Sequence, residues 1–159
     1  YISAANNLAL TFSENAQYAE AEKMYQKNLQ GLEKLRGKEN FDYAAALNGL
    51  ADLYEKTGKY PQAEPLFVNS LRIMEKITGK FHPDYATALN NLAYLYKLMN
   101  KNEVAEVKLK ESMAILEQLK LKKSPQYAAA LQNYGLLLQV MGKYPKAEIN
   151  LKESLAINQ

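Results

Sequence analysis

The chain has 159 residues, 48% of them hydrophobic and 23% charged, which is enough apolar material for a continuous core in an ordinary water-soluble composition. Its net charge of +3 comes from 20 basic and 17 acidic residues spread along the sequence, and the basic run Lys120-Leu121-Lys122-Lys123 falls in a predicted linker, so no basic stripe for nucleic acid is on offer. The absence of cysteine excludes disulfides, thiolate chemistry and cysteine metal sites, and no apolar stretch approaches the ~20 residues a membrane span needs.

Position 1 already lies inside a repeat. Tyr1, Tyr43, Tyr85 and Tyr127 stand 42 residues apart, and Ala21, Ala63, Ala105 and Ala147 keep that register. So do Glu22, Glu64, Glu106 and Glu148, and Leu29, Leu71, Met113 and Leu155. A period in this range marks a stack of supersecondary units, each too small to bury its own apolar face. With no initiator Met, the sequence reads as a segment of a longer protein, with any targeting signal outside it.

The first repeat, about 1–42, predicts a helix that stops near Asn15-Ala16, a second helix through Ala21 and Leu29, and a linker at Gly37 before Asn40-Phe41. In the second, about 43–84, Leu47, Leu50, Ala51 and Tyr54 form one apolar helical stripe. Gly58 stops that helix in the left-handed conformation, as Asn100 and Gly142 do later. Pro61 opens the next helix, matched by Pro145, and Ala63, Phe67, Leu71 and Met74 form its stripe. The third, about 85–126, follows His82-Pro83. Its second helix has Asn102 and Val104 where the pattern expects tyrosine and a small or polar residue. The fourth, about 127–159, follows Ser124-Pro125, serine and asparagine being good caps for a helix start. Each repeat is thus two antiparallel helices of about 15–19 residues. Ala9, Ala51, Ala93 and Gly135 face Ala21, Ala63, Ala105 and Ala147, so the two helices approach closely. Glu22 and its equivalents are expected in the first turn, against the positive end of the helix dipole. The fold expected is an all-α solenoid of four antiparallel helix pairs without sheet, forming a single repeat domain over 1–159. No polar capping helix follows Leu155 and Ile157, so the last pair is expected to be covered by another helix or to self-associate in isolation.

The pattern Leu47-x-x-Leu50-Ala51-x-x-Tyr54 on the first helix and Ala63-x-x-x-Phe67 on the second resembles the tetratricopeptide repeat. Gly79-KFHPDYATALNNLAYLY and Gly58-KYPQAEPL look like the long repeats of kinesin light chains and their bacterial relatives. The resemblance implies a right-handed superhelix whose first helices line a concave groove holding extended peptide segments of partner proteins, in a cytoplasmic setting. In kinesin light chains the groove serves cargo adaptors with aromatic-acidic motifs. Many bacterial relatives instead carry such repeats beside a nucleotide-binding or protease-like effector domain. A regulatory module acting on an effector or on oligomerisation is therefore the second expectation.

The expected groove face lies on the first helices, off the core stripe. Asn6, Asn48, Asn90 and Gln132 form an amide ladder, since an amide offers a donor and an acceptor to a peptide backbone whatever its sequence. Beside it stand Leu10, Asp52, Tyr94 and Leu136, then Ser13, Glu55, Lys97 and Gln139, with Ser3, Ala45, Thr87 and Ala129 at the near end. The basic residues there are Lys97 and, at the rim, Lys56, which does not suit an acidic motif. The following amides, Asn7, Asn91 and Asn133, interrupted by Gly49, are expected to pack toward the next unit. His82 reads as a cap, the tyrosines at 1, 43, 85 and 127 as packing between pairs, and the glutamates, one per repeat, as scaffold and not an acid/base dyad. No catalytic residue, metal or cofactor is expected; the partner is a protein or peptide, with neither nucleic acid nor membrane.

Overall fold

A computed structural model describes residues 2–158, with side chains from residue 5 onward. Among the described residues there are eight helices and no strand: α1 (Ile2–Glu14), α2 (Tyr18–Arg36), α3 (Phe41–Lys56), α4 (Tyr60–Thr78), α5 (Pro83–Leu98), α6 (Asn102–Gln118), α7 (Pro125–Val140) and α8 (Tyr144–Ile157). Two compact units result, Tyr1–Ile77 carrying α1 to α4 and Thr78–Gln159 carrying α5 to α8.

The turn inside each pair is the same piece of backbone four times. Gly58, Asn100 and Gly142 take φ of 73°, 58° and 73°, and Ala16 joins them at 58°. The residue after each donates its N–H five positions back: Gln17 to Phe12 at 2.8 Å, Lys59 to Tyr54 at 2.7 Å, Lys101 to Tyr96 at 2.9 Å and Lys143 to Leu138 at 2.8 Å. That closure satisfies carbonyls the helix end leaves open, and it offsets the ~1–2 kcal/mol an alanine pays in the left-handed region. Gly37 and Gly79, which follow α2 and α4, also have positive φ, 74° and 76°, Gly37 with an extended ψ of −171°. α6 stops earlier in the register, at Gln118, and there Lys120 takes the left-handed position at 61°.

Helix starts follow the predicted caps. The Asn40 side chain accepts from the Tyr43 N–H at 2.9 Å, and Ser124 Oγ accepts from the Tyr127 N–H at 3.2 Å. His82 Nδ1 accepts from the Asp84 N–H at 3.2 Å. Pro61 and Pro145 sit one residue inside α4 and α8 rather than at their first residue. Pro65 also lies inside α4, where its missing N–H leaves the Pro61 carbonyl without its usual helical donor. Both prolines are exposed, so that carbonyl can turn to water.

One expectation about the acidic ladder fails. Glu22 is the fifth residue of α2, and Glu64, Glu106 and Glu148 hold the same place in their helices, one step past the first turn. The dipole is felt mainly within that turn; Glu22, Glu106 and Glu148 instead pair with Lys59, Lys143 and Lys152.

The core lies where small residues let each pair close up. Ala9, Ala51, Ala93, Ala21, Ala63 and Ala105 are fully buried, and Phe67, Leu109, Leu116 and Leu137 fill the layers around them. At Gly135 of α7 a β-carbon would fall 2.6 Å from Leu151 Cγ on α8, so any larger residue there would force Leu151 to shift. Three buried serines lace the second helix of a pair to the first. Ser70 Oγ donates to the Ala44 carbonyl at 2.9 Å, and Ser112 and Ser154 donate to the Ala86 and Ala128 carbonyls at 2.7 Å each.

Candidate functional site

In the second unit the expected face surrounds a cleft of about 310 Å³ between α5 and α7. Thr87, Asn90 and Asn91 line it from α5, and Pro125, Gln126 and Ala129 from the start of α7. None of the six carries a charge. Asn90 is buried to 8% exposure, and its Oδ1 accepts from Asn133 Nδ2 at 3.1 Å. The amide ladder thus ties two first helices together at this rung, and Asn133 reaches back to α5, not forward. Along the same face Tyr94 is half-buried with the Lys97 ammonium 4.2 Å from its ring centroid, close enough for a cation–π attraction. Gln132 is exposed, Leu136 half-buried.

In the first unit the same positions are built differently. Asn6 Oδ1 accepts from Asn28 Nδ2, on α2, at 2.7 Å. Asn28 stands in the register of the three lacing serines, so its longer side chain reaches an amide where a serine would reach a carbonyl. Leu10 is 46% exposed, while Asn48, Asp52 and Glu55 are half-buried. Asn48 Oδ1 is enclosed and has no hydrogen-bond partner among the described residues. Burial pushes the Asp52 carboxyl up to about 6, opposed by the nearby Lys56 ammonium. Ser13 is buried and does not belong to an open face, and the Ser3 side chain lies outside the described residues.

Gly49, which interrupts the second amide series, has a steric reason. A β-carbon there would lie 2.5 Å from Cε1 and 2.8 Å from the hydroxyl of Tyr25, a residue only 3% exposed. The tyrosine ring occupies the space that an asparagine side chain would need. Burial, then the charges of Asp52 and Glu14, raise the pKa of that hydroxyl.

The remaining ladders are structural. The Tyr54 hydroxyl donates to Glu22 at 2.8 Å and the Lys59 ammonium donates at 3.3 Å. In the second unit Glu106 is held likewise, by Tyr134 at 3.1 Å and Lys143 at 3.3 Å. These bonds, with Lys110 foremost, hold the Glu106 carboxyl below its ordinary pKa. Tyr43, Tyr85 and Tyr127 are buried, and the Tyr127 hydroxyl donates to Glu117 at 2.7 Å; Tyr1 lies outside the described residues. Among the described residues no group of three metal-ligating side chains forms, and no helix is long and apolar enough to cross a membrane. Sequence reasoning missed the Ser70, Ser112, Ser154 series, whose own 42-residue period was the available signal, and the Tyr25–Gly49 exchange, which no period marks.

Helix pairs closed by a left-handed turn, tight alanine crossings and a 42-residue register agree with the comparison to known families. The model described as tetratricopeptide repeat matches residues 1–67 and 42–118. The chain belongs to the tetratricopeptide-repeat family. Among solved structures it is similar to BtubC (BKLC) from P. vanneervenii, with a TM-score of 0.86 and 21% identity over 99% of this chain. It spans 63% of that protein, less than two thirds of its length. A putative kinesin light chain from Podosopora anserina with nearly identical TPR-like repeats matches at a TM-score of 0.70 and 18% identity, covering 99% of this chain and 94% of that one. Its Q17M form matches at 0.70 and 18%, covering 98% and 93%. At these identities the likeness speaks for the fold. No curated protein matches the sequence. Tetratricopeptide repeats generally mediate protein–protein interaction.

Proposed function

We propose that the chain is a protein-interaction scaffold whose first-helix faces take an extended segment of a partner protein, with the α5/α7 cleft receiving one of its side chains. The observation that carries this reading is the cleft itself, a concave space of about 310 Å³ on the face where the amide ladder runs. Its lining is neutral, so it suits a small apolar or uncharged polar side chain better than the acidic residue of a kinesin-type motif. Asn90 spends its carbonyl on Asn133, and its Nδ2 is the donor it would offer a peptide carbonyl. Exposed Gln126 and Gln132 add donors and acceptors on either side. In the second unit Tyr94 and Leu136 supply apolar area, with Lys97 against the Tyr94 ring; the first unit, taken by itself, offers Leu10, Asn6, Asn48, Asp52 and Glu55 on its first helices.

A second reading is favoured by the amide bridges, Asn133 to Asn90 and Asn28 to Asn6. On it the ladder only holds helices together, and the repeats position a regulated domain. The two readings separate in one experiment. Peptides selected from a random display library are titrated against the native chain and against Ala129→Arg, an exposed substitution that fills the cleft mouth. Selected peptides should lose at least about tenfold in affinity while the circular dichroism melt stays within a degree or two. Undiminished binding to Ala129→Arg, or no selectable peptide at all, removes the groove reading.

A further inference from the structure

Tyr25 departs from its register in a way that packing alone does not require. The same position holds Phe67, Leu109 and Leu151 in the later repeats, and none of those side chains ends in a polar atom. Tyr25 rises from α2 among Ala9 of α1 and Leu50 and Leu53 of α3, and its hydroxyl stops against Gly49. Where Gly49 stands, the other repeats carry Asn7, Asn91 and Asn133. In the second unit Asn133 fills that place with an amide turned to Asn90. In the first unit a phenol hydroxyl fills it instead.

The surroundings of that hydroxyl are acidic. Asp52, three residues past Gly49 on α3, is half-buried, and Glu14, the last residue of α1, is exposed. The hydroxyls of Tyr54, Tyr127 and Tyr134 each donate to a glutamate, whereas that of Tyr25 meets Asp52 and Glu14 as charges and not as hydrogen-bond partners. One helical turn before Asp52, Asn48 Oδ1 is enclosed and lacks a donor. A desolvated carboxylate and a carbonyl without a donor each cost stability, and one cationic donor group would relieve both. Among the described residues no three metal-ligating side chains gather, so the set suits an organic cation better than a metal ion.

We infer that this is a recognition point for an arginine side chain of the partner segment, its guanidinium set between Asp52 and Glu14 with the Tyr25 Oη and Asn48 Oδ1 as further acceptors. A guanidinium carries five N–H donors in a fixed plane and sheds water more readily than an ammonium, which fits acceptors that converge from three helices. Leu10, 46% exposed and one turn before Glu14, offers apolar surface to the aliphatic stem. Lys56, the cation whose charge reaches Asp52, is exposed and would be displaced from that role by the arginine. The inference rests on the reading of the first-helix faces as the partner-binding side, and adds the charge that the first unit selects.

The test starts from peptides selected on the intact chain from a random display library, which should carry arginine above its library frequency. Each is titrated again with arginine replaced by citrulline, which keeps the shape and loses the charge. Citrulline should weaken binding about tenfold or more, and only the arginine form should saturably shift the Gly49 amide and the Asn48 side-chain amide in NMR spectra. Asp52→Asn and Tyr25→Phe should each narrow the arginine–citrulline difference several-fold, a change that a purely structural role would not produce. Thermal melts of both variants confirm folding. Selected peptides that weaken on Ala129→Arg yet bind equally well as citrulline forms overturn this inference and leave the groove reading standing. Arginine dependence that survives both Asp52→Asn and Tyr25→Phe places the cation on another surface and equally overturns it. A library that yields no peptide removes the groove reading and this inference with it.

Discussion

Tyr25 and Gly49 behave as one residue split between two helices. Elsewhere the same two positions carry Leu109 and Asn133, and there the asparagine reaches Asn90. Replacing Gly49 with Asn should therefore drive its side chain into the Tyr25 ring and destabilise the chain by about 1–3 kcal/mol. Adding Tyr25→Leu recreates the pairing of the second unit, and the double variant should melt above the sum of the single losses. A double-mutant cycle in urea checks this, and additive losses would disprove the exchange. Asp52 gives a pH signature. Its folded value, about 6, lies above the ordinary 3.8. Its stabilising effect is therefore fully present below pH ~4 and lost as pH rises through 6. Asp52→Asn should then gain about 1–2 kcal/mol at pH 7, allowing for partial exposure, and nothing at pH ~4. A gain that persists at low pH would assign the effect to packing.

At the scale of the element, most helix boundaries have a local cause that can be read beforehand: an asparagine, histidine or serine that accepts the first free N–H, and a left-handed residue that closes the end. The exceptions are instructive. Ala16 is a poor left-handed residue by itself and is held there by the Gln17–Phe12 bond, so the turn is imposed by the pair that flanks it. Pro65 survives in α4 because it falls near the start and faces water. Since that position makes no use of the ring, Pro65→Lys should restore a hydrogen bond and raise stability by about 1–3 kcal/mol, the penalty ordinarily attached to an interior proline. Thermal melts of the single variant decide it. A neutral or harmful result would show that the ring itself packs.

At the scale of the whole molecule, repeats that pack on near neighbours divide stability into local portions. Phe67 is a fully buried large side chain in the first unit. Phe67→Ala should cost about 3–5 kcal/mol there. Native-state hydrogen exchange should show faster opening of α3 and α4, with the amides of α7 and α8 changed far less. Uniform acceleration along the chain would mean that it opens only as one cooperative body.

The sequence alone was sufficient for the helix pairs, their order and their crossings. A 42-residue period repeats the same local physics, and small residues at Ala9, Ala21 and their equivalents can serve little else than close approach. It also placed the amide ladder on the first helices. It could not say what each amide does, because that depends on which neighbour comes within 3 Å: Asn133 for Asn90, Asn28 for Asn6, and for Asn48 Oδ1 none among the described residues. Nor could it move Glu22 and Glu106 from the helix dipole to a tyrosine and a lysine of the next helix and turn. Local signals set where a chain bends and which face is apolar. The partner of a polar side chain is chosen only when two distant stretches are packed together, and that choice belongs to the tertiary structure.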